Sequence, residues 1–366
     1  MGTFVKHGLC VQSVNACITP TTSPSVKQSN LLVYHGDLVS VLCSRMPIPP
    51  NIVLIKTSSL GDVLHNLPVV RDIHRHLPNA CIDWVVEESF AALPALHPEV
   101  RAVVPVAMRR WRQSWWDARK EMQAACRTLR EKNYDLALDS QGLLKSALIT
   151  RCTHTERCGY DWSSAREPLA SWFYDRSYAI PKNLHAVERN RLLAGAALGY
   201  SITGGPDYGI HAPDLALSWL PDTPYVVLLH ATSRDDKRWD DKNWIALGEH
   251  LHCSGFRAIL TWGNIKEKSR AGRLCAAIPD SIRAPQLDLH HAAALLGKAR
   301  AVIGVDTGLS HLAAALDVPT IGLYIATEPG LTGLYAGSRA VNLGGKARPP
   351  TVEAVVAKFA ELVRHV

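Results

Sequence analysis

With 366 residues the chain is long enough for about two domains that each bury a core. Its 47% hydrophobic and 20% charged residues make an ordinary globular composition, and no run approaches the roughly 18 uninterrupted apolar residues of a membrane helix. A net charge of +7 and a pI near 8.9 point to anionic partners such as phosphates, nucleic acid or an acidic membrane surface. The excess is modest, so the position of the charges counts for more than their sum.

The nine cysteines, from Cys10 to Cys275, are odd in number. They show neither CxxC pairs nor the dense spacing of a secreted disulfide framework, which points to a reducing cytoplasm. Residues 1–49 lack sustained periodicity and carry TPTTSPS. Lys6, His7, Gln12 and Asn15 interrupt any signal-peptide core. This stretch reads as an appendage, or as an over-extended start with Met46 as the natural initiator.

From residue 51 onward, strand-like apolar runs alternate with longer amphipathic stretches. NIVLIKT reads as a buried strand, and DVLHNLPVVRDIHRHLP as a helix with a proline in it. CIDWVV and RAVVPV follow as strands, 111–132 as a helix, YDLALDS as a strand and GLLKSALITRC as a helix. Between about 181 and 224 the pattern loosens around LGYSITGGPDYG and LPDTP, a domain boundary. Alternation then restarts through YVVLLHAT, NWIALGEHLHCSG, RAILTWG, KEKSRAGRLCAAIP, AVIGVDTG, LSHLAAALDVP and TIGLYIA. The chain closes on the helical pattern TVEAVVAKFAELVRHV. This alternation predicts an α/β fold with two Rossmann-like parallel-sheet domains, 50–215 and 216–366, facing a cleft, with a C-terminal helix. Ligands of open α/β sheets sit beyond the carboxyl ends of the strands.

Four strand-to-loop junctions carry polar residues toward that cleft. In KTSSLGDVLHNLP, Gly61 permits a close backbone approach and Asp62 lies near a helix start, as an N-cap, a catalytic base or both. In HATSRDDKRW, the hydroxyls of Thr232 and Ser233 with Lys237 supply donors and countercharge for a diphosphate. A metal at Asp235 and Asp236 and a solvated charged turn are the alternatives. In VDTGLSHLAAALDVP, Asp306, Thr307, Gly308, Ser310 and His311 surround a helix start suited to phosphate or sugar oxygens. Glu267 in TWGNIKEKSR accepts from a ribose or simply favours the helix dipole.

Off the strand ends, MRRWRQSWWDARK interleaves Arg109, Arg110, Arg112, Arg119 and Lys120 with Trp111, Trp115 and Trp116. Arginine grips phosphate or carboxylate, and tryptophan favours membrane interfaces. Single-stranded nucleic acid is the rival ligand, and a solvated amphipathic helix the bland alternative. No RNA-binding motif accompanies the segment. The His290–His291 pair lacks a third ligand at metal spacing. GxSxG, a P-loop and a GxGxxG after the first strand are all missing, and a nicotinamide oxidoreductase would need the last of these.

KTSSLGDVLHNLP, LDSQGLLKSAL, DWSSAREPLASWFY, HAVERNRLL, LHATSRDDKRW and VDTGLSHLAAALDVPTIGLY together resemble the ADP-heptose glycosyltransferases of family 9, which have the GT-B fold. The resemblance runs from about Asn51 to Val366. It implies inverting transfer of L-glycero-D-manno-heptose from ADP-heptose to a Kdo sugar of Kdo2-lipid A, without a cofactor or metal requirement and without nucleic acid. The place it implies is the cytoplasmic face of the inner membrane, peripherally bound. By the same resemblance Asp62 is the catalytic base, and Lys56 matches the lysine of its motif. Thr232, Ser233 and Lys237 match diphosphate positions, Ser233 standing where a second threonine is expected. Glu267 and Leu287 match nucleoside contacts, Leu287 replacing a methionine. Asp306, Thr307, Gly308 and His311 match positions around the diphosphate and heptose. Lys56, Arg109, Arg110 and Arg112 face the acceptor. A paralogue acting on a later core sugar and a non-catalytic nucleotide-sugar binding protein are the alternatives.

Overall fold

The computed structural model describes residues 49–111, 115–232 and 234–364. The readings made for the first 48 residues, for Arg112 and for Ser233 lie outside these.

The first half comprises β1 (Asn51–Ile55), α1 (Leu60–Leu64), α2 (Leu67–His76), β2 (Cys81–Glu87), α3 (Ala92–Ala95) and β3 (Val100–Val106). It continues with α4 (Met108–Trp111), α5 (Trp115–Glu131), β4 (Leu136–Asp139), α6 (Leu144–Thr150), β5 (Glu156–Tyr160), β6 (Arg176–Tyr178) and α7 (Ala186–Leu198). The second half runs through β7 (Tyr225–Leu229), α8 (Asp241–Cys253), β8 (Arg257–Leu260), α9 (Ile265–Ala277), β9 (Ile282–Arg283) and α10 (Leu289–Gly297). It closes with β10 (Ala301–Val305), α11 (Gly308–Ala315), β11 (Thr320–Tyr324), β12 (Ala340–Gly344) and α12 (Val352–Arg364).

Each half is built on a six-stranded sheet, in the orders β3-β2-β1-β4-β5-β6 and β12-β11-β10-β7-β8-β9, with parallel pairing throughout. Central strands of such sheets are covered on both faces, so they read as unbroken apolar runs. YVVLL of β7 and AVIGV of β10 are buried at every position. The α/β architecture with two parallel sheets expected from the alternation is therefore present. One apolar cluster joins Ile52, Leu64 and Leu67 of the first half to Leu229, Leu296 and Leu312 of the second. The helices that follow the central strands β1 and β10 touch where those halves meet, Leu60 lying against Gly308.

Several details depart from the sequence reading. The single helix expected over 62–78 is two, because Pro68 has no N–H to donate and its ring would clash with a preceding carbonyl. The chain re-caps at Asn66 and places the proline in the first turn of α2, where it is tolerated. α7 lies inside the stretch expected to be loose. It is tied to α2 by the buried Arg191–Asp72 pair at 2.7 Å and ended by Gly199 at φ 78°. The C-terminal helix α12 is present as expected, and its Val355 and Phe359 join the apolar cluster of the second half that holds Trp244 and Leu323. The cysteine spacing gave no sign of a disulfide, yet Cys126 of α5 is bonded to Cys152, just after α6. Among the described residues no helix is long and apolar enough to cross a membrane.

Candidate active site

The loop after β1 carries the first cluster. Ser59, not Asp62, is the N-cap of α1; Asp62 is its third helical residue and reaches back to the cap. Asp62 Oδ2 accepts from Ser59 N at 2.8 Å and from Ser59 Oγ at 3.1 Å, the carboxylate-to-cap half of a capping box. Arg166 Nη1 stands 3.7 Å from the same oxygen. Asp62 Oδ1 takes no hydrogen bond from any described residue, so the carboxylate is held by one oxygen and presents the other. Its side chain is 25% exposed, enough to meet a ligand.

Beneath the loop the support is buried and polar. Lys56 is 6% exposed and donates to Ser140 O at 2.6 Å and to Asn190 Oδ1 at 3.2 Å. Burial lowers its pKa to about 8 against the opposing fields of Asp62 and Asp139. Asn190 also donates to His65 O at 3.1 Å and accepts from Tyr160 OH at 3.1 Å. Gln141 Oε1 accepts from the amides of Thr57 and Ser58 at 3.0 and 3.1 Å. Lys56 therefore lies under the site rather than on its surface, and this places it as a prop for the loop.

The second cluster follows β10. Asp306 accepts from Lys237 Nζ at 2.6 Å and from Thr327 Oγ1 at 2.9 Å, and His311 Nε2 lies 3.8 Å from its other oxygen. Burial alone would raise the carboxyl's pKa, but His311, Lys237 and Thr327 hold it well below the ordinary carboxylate range. Thr232 Oγ1 donates to Asp306 O at 3.4 Å. Thr307 caps α11, whose first residue is Gly308, so the amides of that turn open onto the same place. Lys237 and Thr232 from the loop after β7 are thus gathered with Asp306, Thr307 and His311 from the segment after β10.

The two clusters meet at α1 and α11. A Cβ on Gly308 would lie 2.0 Å from Leu60 Cδ2, so only glycine lets α1 come this close. His65 is 4% exposed, and its Nε2 lies 3.3 Å from His311 Nδ1. Burial first, and then the neighbouring His311 and His185, push its pKa well below the ordinary histidine value. His185 accepts from Val187 N through Nδ1 at 3.2 Å, which leaves Nε2–H to donate to Gly333 O at 3.2 Å. Its ring stacks on Tyr335 at 4.3 Å, and burial lowers its pKa to about 4. Neutral imidazoles from the first half therefore touch the second half at two points.

The remaining expected residues are more scattered. Glu267 accepts from Gly263 N at 2.7 Å, the dipole-favouring role, and also lines a cavity of about 500 Å³ with Thr232, Arg238, Lys266 and Arg270. Leu287 is half-buried just before α10. Arg110 pairs with Glu88 at 3.1 Å and Glu121 at 2.6 Å, and the Arg109 guanidinium lies over the Phe90 ring. Arg166, His65, His185 and Asn190 were not picked out singly in the sequence. All four stand inside the segments KTSSLGDVLHNLP, DWSSAREPLASWFY and HAVERNRLL, whose family resemblance is the only signal for them. Among the described residues no His, Cys, Asp and Glu side chains converge as a metal-ligand group.

Two parallel six-stranded sheets with helices, meeting where α1 of one half touches α11 of the other, are the architecture of a GT-B glycosyltransferase. The profile of glycosyltransferase family 9 (heptosyltransferase) matches residues 122–357, and the chain belongs to that family. Lipopolysaccharide heptosyltransferase 1 of Pseudomonas aeruginosa is 47% identical over 297 residues, covering 80% of this chain and 83% of that one. The solved structure of Escherichia coli heptosyltransferase WaaC with ADP aligns with a TM-score of 0.79 at 43% identity, over 85% of this chain and 99% of that one. The same enzyme with ADP-2-deoxy-2-fluoro heptose aligns at 0.77 and 42% identity, with the same coverage.

Proposed function

We propose that this chain transfers L-glycero-D-manno-heptose from ADP-heptose to a Kdo hydroxyl of Kdo2-lipid A, with inversion, in lipopolysaccharide inner-core synthesis. Its place is the cytoplasmic face of the inner membrane, bound peripherally. The observation that carries this reading is the approach of α1, bearing Asp62, to the start of α11 in the other half across the Leu60–Gly308 contact.

Asp62 acts as the base. As the acceptor oxygen forms its bond to the anomeric carbon, its proton passes to the carboxylate, and the bond from that carbon to the β-phosphate oxygen breaks on the opposite face. The charge that develops on ADP is met by Lys237, the hydroxyl of Thr232 and the amides around Thr307 and Gly308, with Ser233 assigned to the same diphosphate. Asp306 holds the Lys237 ammonium at the helix mouth, and His311 borders the heptose. Glu267 and Leu287 serve the nucleoside. Arg109, Arg110, Arg112 and Arg166 meet the phosphates and carboxylates of the acceptor head group, while Lys56 holds the Asp62 loop from below. Contact between the halves aligns the reacting atoms and excludes water that would hydrolyse the donor.

The test is to incubate the purified protein with ADP-heptose and Kdo2-lipid A and to follow the heptosylated product by mass spectrometry. Transfer to Kdo2-lipid A well above transfer to an already heptosylated acceptor is expected. Preference for the latter would identify a paralogue acting later, and ADP-heptose binding without transfer would leave only a binding protein.

A further inference from the structure

Beside the Asp62 loop, one face of the first half carries large apolar side chains into solvent. Trp172 is 73% exposed and Trp162 52%, and their rings stack with centroids 5.7 Å apart. Leu169 is 46% exposed, and the adjoining α6 adds Leu148 at 49%. A stacked pair of indoles held in water, with exposed leucines on the same and the adjoining element, is an apolar surface that marks an interaction site. We propose that this face docks on an anionic lipid bilayer and seats the mouth of the Asp62 cleft at the membrane surface. The proposal rests on the lipid-linked acceptor of the proposed function and adds the surface that meets the lipid.

The segment beneath the indoles is firmly held. Ser164 is buried and accepts from Ile180 N at 2.8 Å, Arg189 donates to Ser164 O at 2.6 Å, and Glu167 accepts from Leu144 N at 2.7 Å. Ala170 and Tyr174 pack on Ala147 of α6, and Tyr174 OH donates to Asp139 at 2.8 Å. The indoles are therefore displayed by a rigid base.

Charge selects the partner. Residues 144–182 contain six lysines and arginines against four carboxylates. All four carboxylates have partners within the fold: Glu156 with Arg176, Asp161 with Ser163 and Ser164, Glu167 with the Leu144 amide, and Asp175 with Arg157. Arg151, Arg166 and Lys182 are exposed. Indoles with neighbouring leucines and exposed cations match the headgroup boundary of an anionic leaflet, where amphipathic rings settle and basic side chains meet lipid phosphates. A sugar platform needs one ring and several hydrogen-bonding neighbours, and it has no use for Leu148 and Leu169. Arg166 gives the face its position, since its guanidinium is 3.7 Å from Asp62 Oδ2. A bilayer on this face delivers a membrane-embedded acceptor to the base without lifting it from the leaflet.

The experiment is co-sedimentation of the full-length protein with phosphatidylethanolamine/phosphatidylglycerol vesicles and with phosphatidylcholine vesicles, without donor or acceptor. The wild type is expected to prefer the anionic vesicles, and Trp162→Ser/Trp172→Ser to bind them about tenfold more weakly. Trp172→Ser alone should show part of the loss, with the thermal midpoint of both variants close to wild type. Transfer to a water-soluble, fully deacylated acceptor should stay within about twofold of wild type, while transfer in vesicles falls with binding. Unchanged vesicle binding, equal binding to both lipids, or an equal loss on the soluble acceptor would each overturn the proposal, the last by making the indoles a sugar platform. Because the vesicle arm contains neither substrate, it succeeds or fails independently of whether heptose is the sugar moved.

Discussion

Asp62 and Asp306 stand in comparable places, each between a sheet strand and a helix start, and the two halves treat them in opposite ways. Asp62 is partly exposed, held through one oxygen by its own helix cap, with Arg166 at the edge of reach. Asp306 is 14% exposed and is gripped by Lys237 and Thr327, with His311 close by. The first arrangement is the one the proposed base role of Asp62 requires, with one oxygen held and the other open. The second holds a permanent anion that fixes the Lys237 ammonium beside the start of α11, where the proposed function seats a diphosphate. The fold supplies the same kind of platform twice, and local partners set one carboxylate half-free and the other tightly paired, which is the difference the proposed roles of base and clamp need.

The largest effect that could break this contrast is at Asp62. Asp62→Asn keeps an oxygen for the Ser59 amide but removes the base, so kcat should fall about 10³-fold while stability and ADP binding stay near wild type. Rapid-quench rates beside calorimetric ADP titration check this, and undiminished turnover would reduce Asp62 to a cap. At Asp306 the expected loss is in folding and not in proton transfer. Asp306→Ala leaves the mostly buried Lys237 ammonium unpaired and should cost about 3 kcal/mol in urea unfolding.

Next in size is the acid sensitivity of the contact between the halves. His185 has a lowered pKa of about 4, so between the ordinary histidine value and that point the unfolded chain binds the proton and the folded chain does not. Stability is therefore whole at neutral pH and falls as the pH drops from about 6.5 toward 4, by up to about 3 kcal/mol from this residue. His185→Phe should flatten that part of a urea-midpoint profile against pH. The smallest effect is at the α1–α11 contact. Gly308→Ala places a methyl against Leu60 and should cost about 1–3 kcal/mol, partly recovered by Leu60→Ala in a double-mutant cycle.

Much of the fold was legible because central strands and their helices carry strong periodic signals. β5, β6, β9 and β12 were not, being short and partly polar or at sheet edges, where period-two patterning has little room. α7 was hidden by the glycines and prolines beyond it. Within the site, Asp62, Lys237, Asp306 and Gly308 could be picked out because strand ends point at clefts. Arg166 could not, since it comes from a loop 104 residues after Asp62 in the chain, and only packing brings it to the carboxylate.

The sequence by itself determined two parallel-sheet halves and the strand-end positions of their polar residues, because apolar periodicity dictates which segments pair and which are left at their ends. Tertiary structure decided what each residue does there. It buried Lys56 as a prop and made Ser59 the helix cap in place of Asp62. It also set neutral histidines of one half against the other, and left Trp162 and Trp172 facing outward. Burial, pairing and protonation depend on neighbours distant in the chain, and no local pattern records them.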